Sequence, residues 1–314
     1  MARKIEIQED EWNKEENRFR YAHELEAGNI LFFEKAPFYF APEDIEFLLN
    51  QRQGGSKSRK NIAYKPQQDR ITNHDTKDVE AGKRLKEVLR NYSASVTEFL
   101  SVLLSPYAKK WKHDYASFRP FQEKGRKLRL RARNDLLHVD AFPTRPLHGG
   151  RILRFFTNIN PVDSRHWITS KSFEELVLEY GGEKGVLFPR SVGYSLKNRL
   201  QRKAIGMLRG AGIKLPLRSP YDHFMLNFHN YLKENGEFQK NCPKDHWQFP
   251  PGSCWAVFTD QVSHAALAGQ YALEQTFLIP RSALLCPDLA PVSVLERLSG
   301  GNMVDPVLSA SLFA

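Results

Sequence analysis

The chain has 314 residues, enough for one large domain or two small ones with a substantial core. Hydrophobic residues make up 41% and charged residues 26%, which excludes a disordered or fibrous chain. A formal net charge of +10 favours an anionic partner: nucleic acid, a phosphorylated small molecule or an acidic membrane surface.

No apolar run approaches the roughly 20 residues of a spanning helix. Three widely spaced cysteines, Cys242, Cys254 and Cys286, give neither a disulfide framework nor a paired-thiol zinc site. A reducing compartment is then the default, and the mixed-charge N-terminus carries no apolar signal core, so the expected location is cytoplasmic.

In chain order, residues 8–20 have the look of a polar surface helix. Asn29-Ile30-Leu31-Phe32-Phe33 has strand character, and Ala41-Pro42-Glu43-Asp44 opens an amphipathic helix. Residues 51–60, with Gly54-Gly55-Ser56 at their centre, have linker composition. The longest helical signal spans 75–104, where Leu85, Val88, Leu89, Tyr92, Val96 and Phe99 recur at three- and four-residue spacing. Strand character follows at 115–121, as an alternating basic and apolar run at 127–133, at 136–140 and at 151–161. Residues 162–245 read as helical again, with a capping pattern at Ser172, a basic amphipathic helix at 195–210 and a helix at 221–233. On that last helix His223 and His229 are six apart, cannot share one ion and read as polar or core residues. Sheet returns at 253–258 and 271–279, and the tail from Ser299 onward reads as mobile.

The chemistry concentrates at Leu136-Leu137-His138-Val139-Asp140. On a strand, His138 and Asp140 would project from one face. Two histidines and a carboxylate on one face of an iron leave the opposite face open for substrate and dioxygen. His-x-Asp alone is short and arises by chance, so the reading needs a second histidine. His264, after the Pro251-Gly252 turn and the apolar run 254–258, is the candidate. A jelly roll brings such distant segments together, because its neighbouring strands are far apart in sequence. Just before the metal segment, residues 124–133 carry six cationic side chains with no interleaved aromatic, which argues against nucleic acid.

The ordered set His138-x-Asp140, Arg154, Asn158-Ile159-Asn160-Pro161, Pro251-Gly252-Ser253 and His264 resembles the iron(II)- and 2-oxoglutarate-dependent dioxygenases over about residues 115–280. More closely, the whole chain resembles the bacterial Kdo (3-deoxy-D-manno-octulosonic acid) hydroxylases. Ser117-Phe118-Arg119-Pro120-Phe121, residues 134–143, residues 154–161 and Asp260-Gln261-Val262-Ser263-His264-Ala265 carry that resemblance.

It implies an α+β fold with a double-stranded β-helix core and N-terminal packing helices, as a single domain over 1–314. The mainly helical part is 1–114, the jelly-roll strands are 115–161 and 250–285, and 162–249 is a helical insertion. It implies His138, Asp140 and His264 as ligands of Fe(II), with 2-oxoglutarate and O2 as co-substrates. The reaction would hydroxylate carbon 3 of the Kdo sugar of Kdo-lipid A, an anionic lipid-linked sugar of the lipopolysaccharide inner core. Such a substrate implies peripheral contact with the inner face of the inner membrane, supported by the basic run, and a homo-oligomer is compatible with it. The alternatives are the same chemistry on a nucleic acid or protein, or a non-catalytic basic jelly roll.

One departure is visible. Many members of the superfamily carry an arginine shortly after the distal histidine for the far carboxylate of 2-oxoglutarate. Here Gly269-Gln270-Tyr271-Ala272 offers no cation before Arg281. A buried dianion needs a partner, and a guanidinium is the natural one. Arg154 is the first choice, on a strand face shared with Phe156, Asn158 and Asn160, with Asn160 beside it and Arg281 or the Arg119/Arg129/Arg131 set as alternatives. Arg119, Arg129 and Arg131 are expected to bind the anionic substrate.

Overall fold

A computed structural model describes residues 1–52, 54, 61–182, 200, 203–208 and 217–313. The linker read at 51–60 and the basic helix read at 195–210 lie largely outside the described residues.

Two β-sheets face each other. The larger contains β1 (Lys4–Glu6), β2 (Ile30–Phe33), β3 (Ile62–Lys65), β4 (Arg70–Thr72), β5 (Lys112–Arg119), β6 (Arg151–Asn158), β9 (Cys254–Phe258) and β11 (Ala272–Ile279). Its order is β1-β2-β9-β6-β11-β5-β3-β4. The smaller contains β7 (Arg165–Ser172), β8 (Asp245–Phe249) and β10 (Val262–Ala268), in the order β10-β7-β8. Only β1 and β2 pair in parallel; every other described strand pair is antiparallel. Phe156, Trp255 and Val257 from the large sheet meet Trp167, Phe249 and Val262 between the layers. This is a jelly-roll sandwich rather than a closed barrel.

The outer face of the large sheet is covered by α1 (Glu15–Glu26) and α3 (Val79–Leu103), while α2 (Pro42–Leu49) packs at its margin and α4 (Ser105–Ala108) follows α3. Helix α3 starts where Asp78 accepts a hydrogen bond from Ala81 N. Its stripe of Leu85, Val88, Leu89, Tyr92, Val96 and Phe99 meets Leu153 and Phe155 of β6 and Leu273 of β11. Each such side chain stabilises the layer by about 1.5–3 kcal/mol. A second layer of α5 (Phe173–Tyr180), α6 (Pro220–Glu234), α7 (Gly236–Asn241) and α8 (Pro291–Ser299) covers the other end.

Several expectations need correction. Residues 165–172 form β7, not helix, because Ser172 is the N-cap of α5 in a capping box with Glu175 and the helix cannot begin earlier. Residues 127–133 form a loop with one 3-10 turn at Leu130–Ala132, and 136–140 forms a single isolated bridge rather than a strand. The polar N-terminal helix runs Glu15–Glu26, and the N-terminal part also contributes four strands to the large sheet. The tail is not loose: α9 (Pro306–Phe313) ends with Phe313 packed against the second core cluster.

Candidate metal centre and its two cavities

Two distant segments meet at the centre. His138 N donates to His264 O at 3.1 Å, and His264 N donates to His138 O at 3.0 Å. Residues opposed in an antiparallel bridge send their side chains to one face, and the two ring centroids are 4.8 Å apart. Asp140 is fixed by its own N–H, which donates to Thr259 O at 2.8 Å. Its Oδ1 lies 3.5 Å from His138 Nε2. One bridge and one anchor thus replace the strand that the spacing suggested.

Both imidazoles are held at Nδ1 by a backbone carbonyl. His138 Nδ1 lies 2.7 Å from Leu136 O, and His264 Nδ1 lies 3.1 Å from Val262 O. A carbonyl only accepts, so each Nδ1 carries the proton. Burial lowers both pKa values, and the Lys233 charge lowers that of His138 further. The rings are therefore neutral, each with its Nε2 lone pair left for an ion. Burial pushes Asp140 the other way, but the Arg154 guanidinium, 2.8 Å from its Oδ2, holds its carboxyl well below the usual range.

His229 on α6 is a further imidazole at this centre that the sequence reading set aside. Its Nδ1 bonds Val139 O at 2.8 Å, and its ring meets His138 edge-on at 4.8 Å. One of its nitrogens lies within 4.8 Å of donor atoms of both His138 and Asp140. Burial takes its pKa down to about 4. Yet His264, not His229, lines the cavity in front of His138 and Asp140. Helical spacing from Met225 to Leu232 puts His229 on the buried side of α6, which was the available signal.

That cavity, about 80 Å³, is bounded by Arg119, Arg154 and Arg165 as well as Phe156 and Trp167. Trp167 stacks on the His264 ring at 5.3 Å. Arg154 bonds Asp140 and Glu274, and Arg119 bonds Glu274 and lies 3.7 Å from Glu123. Arg165 donates to Gly269 O at 3.3 Å and lies 3.5 Å from Glu123. Burial, then the nearby Arg119 charge, brings its pKa down to about 10. In all three arginines the Nε–H is buried with no acceptor among the described residues.

Arg165 is absent from the sequence candidates, because residues 162–245 read there as helix. Gly269 makes room for it: at φ +121, a Cβ there would sit 2.8 Å from Arg165 Cγ. The turn that lacks the expected arginine thus admits one from β7.

The other candidates separate. On β6, Arg154 and Phe156 face the cavity, whereas Leu153 and Phe155 face the helices. Asn160 is not in the cavity; its side chain accepts the N–H groups of Val162 and Asp163 in the turn after β6. Arg281 pairs with Glu296 at 2.7 Å on the surface, away from the centre. Arg131 turns outward to Glu234. Arg119 and Arg129 do line a larger cavity of about 1440 Å³, which shares Arg119, Asn134 and Arg154 with the metal cavity. Phe142 lines this larger space, and Trp255 lies behind Phe156, stacked at 5.1 Å.

The sequence matches the family described as 3-deoxy-D-manno-oct-2-ulosonic acid (Kdo) hydroxylase over residues 8–302. No curated protein matches it. Among solved structures, it is similar to the apo form of the Kdo hydroxylase KdoO, a non-heme Fe(II) α-ketoglutarate dependent dioxygenase. That match has TM-score 0.82 and 33% identity over 96% of this chain and 98% of that one. KdoO in complex with α-ketoglutarate and Fe(III) matches with TM-score 0.81 and 33% identity, over 96% and 98% of the two chains. Its complex with succinate and Fe(III) gives 0.80 and 33%, over 96% and 97%. With the family matched over nearly its whole length, the chain belongs to the Kdo hydroxylases.

Proposed function

We propose that this chain is an iron(II)- and 2-oxoglutarate-dependent hydroxylase that places a hydroxyl on carbon 3 of the Kdo sugar in Kdo-lipid A. The observation that carries the reading is one continuous arrangement. Two neutral imidazoles and a charged carboxylate face a small cavity, three guanidinium groups with unused N–H donors wall it, and a large cation-lined space adjoins it.

The donor set fits iron: His138 and His264 offer Nε2 and Asp140 an oxygen, the two-histidine, one-carboxylate combination of non-heme oxygenases. When bound, the iron with 2-oxoglutarate and dioxygen supplies the oxidising chemistry that turns a C–H into a C–OH. This chain's residues do the rest. Arg154 fixes Asp140 and, with Arg119 and Arg165, offers donors to the carboxylates of 2-oxoglutarate. Phe156 and Trp167 keep that side of the cavity apolar and dry. The acceptor sugar would enter from the larger cavity at the end where Arg119 and Arg154 are shared with the metal cavity.

Peripheral attraction to an anionic membrane surface fits the net charge of +10. No described helix is long and apolar enough to cross a membrane. The test is succinate release and mass gain of one oxygen on Kdo-lipid A, compared with free Kdo, RNA and no acceptor. Equal, acceptor-independent succinate release in all four would refute the assignment.

A further inference from the structure

The cations lining the large cavity fall into two groups. Arg119 and Arg154 converge on Glu274, and Arg126 pairs with Glu123. Arg145 is held by Asp114 and lies flat against Tyr115 and Phe142, 4.1 and 4.3 Å from their ring centroids. These four guanidinium groups are already committed to carboxylates. Lys65, Lys127 and Arg129 are not: none has a carboxylate partner among the described residues, and Lys65 has only the Tyr115 face, 4.9 Å below its Nζ.

The three come from two separate walls. Lys65 ends β3, on the hairpin at the sheet edge, whereas Lys127 and Arg129 lie in the loop leading to the metal segment. Like charges facing one space repel each other, and they remain favourable only when solvent or a bound anion compensates them. The space is also larger than one sugar needs, since pockets for small ligands run about 300–1,000 Å³ and this one is about 1440 Å³.

We propose that Lys65, Lys127 and Arg129 form an outer oxyanion subsite, distinct from the arginines at the metal end. It holds a second anionic group of the acceptor, remote from the carbon that is oxidised. The chemistry recognised is a phosphate monoester or a further sugar carboxylate on the same molecule. The inference rests on the reading that this cavity holds the acceptor, and it makes recognition of the remote anion the basis for selecting an elaborated acceptor over the free sugar.

The test uses full-length protein loaded with Co(II), without dioxygen, so that binding is read apart from turnover. Four water-soluble acceptors are titrated calorimetrically: free Kdo, de-acylated Kdo-lipid A, the same molecule treated with phosphatase, and a phosphate-free acceptor bearing two Kdo units. The expected result for wild type is roughly tenfold or more tighter binding of one of the two remotely charged acceptors than of the phosphatase-treated one, a preference that shrinks as salt rises. Preference for the de-acylated phosphorylated form identifies phosphate, and preference for the double-Kdo form identifies a carboxylate. In K65A/K127A/R129A that preference disappears while free Kdo and Co(II) bind as in wild type, and K127R/R129K retains it. A triple variant that keeps the preference, or a wild type that shows none for either acceptor, overturns the proposal. Normal binding with no hydroxylation by the iron(II)-loaded protein, given 2-oxoglutarate in air, would instead count against the proposed reaction and leave the subsite standing.

Discussion

Replacing Arg154 with Gln separates two roles that the geometry assigns to one side chain. Its guanidinium lies 2.8 Å from Asp140 Oδ2 and also bonds Glu274. At an effective dielectric constant of 20, one such contact at 2.8 Å is worth about 6 kcal/mol of gross attraction. Desolvation offsets much of that, but removing Arg154 leaves the buried Asp140 carboxylate uncompensated while Glu274 keeps Arg119, so the metal-free variant should lose roughly 3–5 kcal/mol of stability. Urea denaturation of metal-free protein reads this directly. Loading a divalent ion should shrink the deficit, because the ion then compensates Asp140.

The second role is read by anaerobic titration of 2-oxoglutarate into the iron(II) form, following the weak visible charge-transfer band of the chelate. Half-saturation should move upward at least tenfold in R154Q, and R154K should restore part of it, since the charge returns without the planar fork. A variant as stable as wild type, with unchanged half-saturation, would refute both the ion-pair argument and the co-substrate assignment.

Other outcomes follow from the same geometry. H264A should abolish the iron-dependent band, whereas H229A should keep it with metal affinity reduced roughly 10-fold, the effect of losing outer support; the reverse pattern would make His229 the cavity ligand. N160A should leave 2-oxoglutarate half-saturation unchanged and cost about 1–3 kcal/mol through two unsatisfied turn N–H groups, and R281A should change neither quantity. Lys233 is buried, and burial carries its pKa from 10.5 to about 8. That shift corresponds to roughly 3 kcal/mol of penalty at neutral pH. The unfolded state keeps its proton between pH 8 and 10.5 while the native state sheds it, so native stability rises with pH across that window. K233M should thus stabilise the protein fully below pH 8 and lose its advantage toward pH 10.5; melting temperatures of the two proteins across that range decide it.

What could be read from residues alone depended on how local the signal was. Helix α3 was legible because 25 residues of one periodic stripe leave no competing pattern. The His138–Asp140 spacing was legible for the wrong local reason: the pair shares a face through one bridge to His264, a tertiary contact no local rule supplies. Strand β7 was hidden because Arg165-His166-Trp167-Ile168-Thr169 lacks clean alternation, being buried at four of these five positions between two layers. Losing that strand also lost Arg165 and the reason for Gly269. Arg281 rests on proximity in sequence to His264 and Asn160 on strand alternation from Arg154, and the fold turns each toward a different partner.

The charges around the metal cavity suggest how it fills. Arg119, Arg154 and Arg165 line it, and Asp140, Glu123 and Glu274 are the carboxylates bonded to them, so three cations face three anions. With its histidines neutral, these six groups cancel before anything binds, and Arg126 on Glu123 and the buried Lys233 add positive charge behind them. A divalent ion alone adds two positive charges to a buried space, and 2-oxoglutarate alone adds two negative ones; together they restore the balance. Each should therefore bind far better in the presence of the other, and the coupling must be equal in both directions. Equilibrium dialysis with Co(II), an ion that avoids turnover, measures both halves. At least a tenfold tightening of 2-oxoglutarate by the ion is expected, with the same factor for the ion by 2-oxoglutarate. Independent binding of the two would mean that the dianion lies outside this arginine-walled cavity.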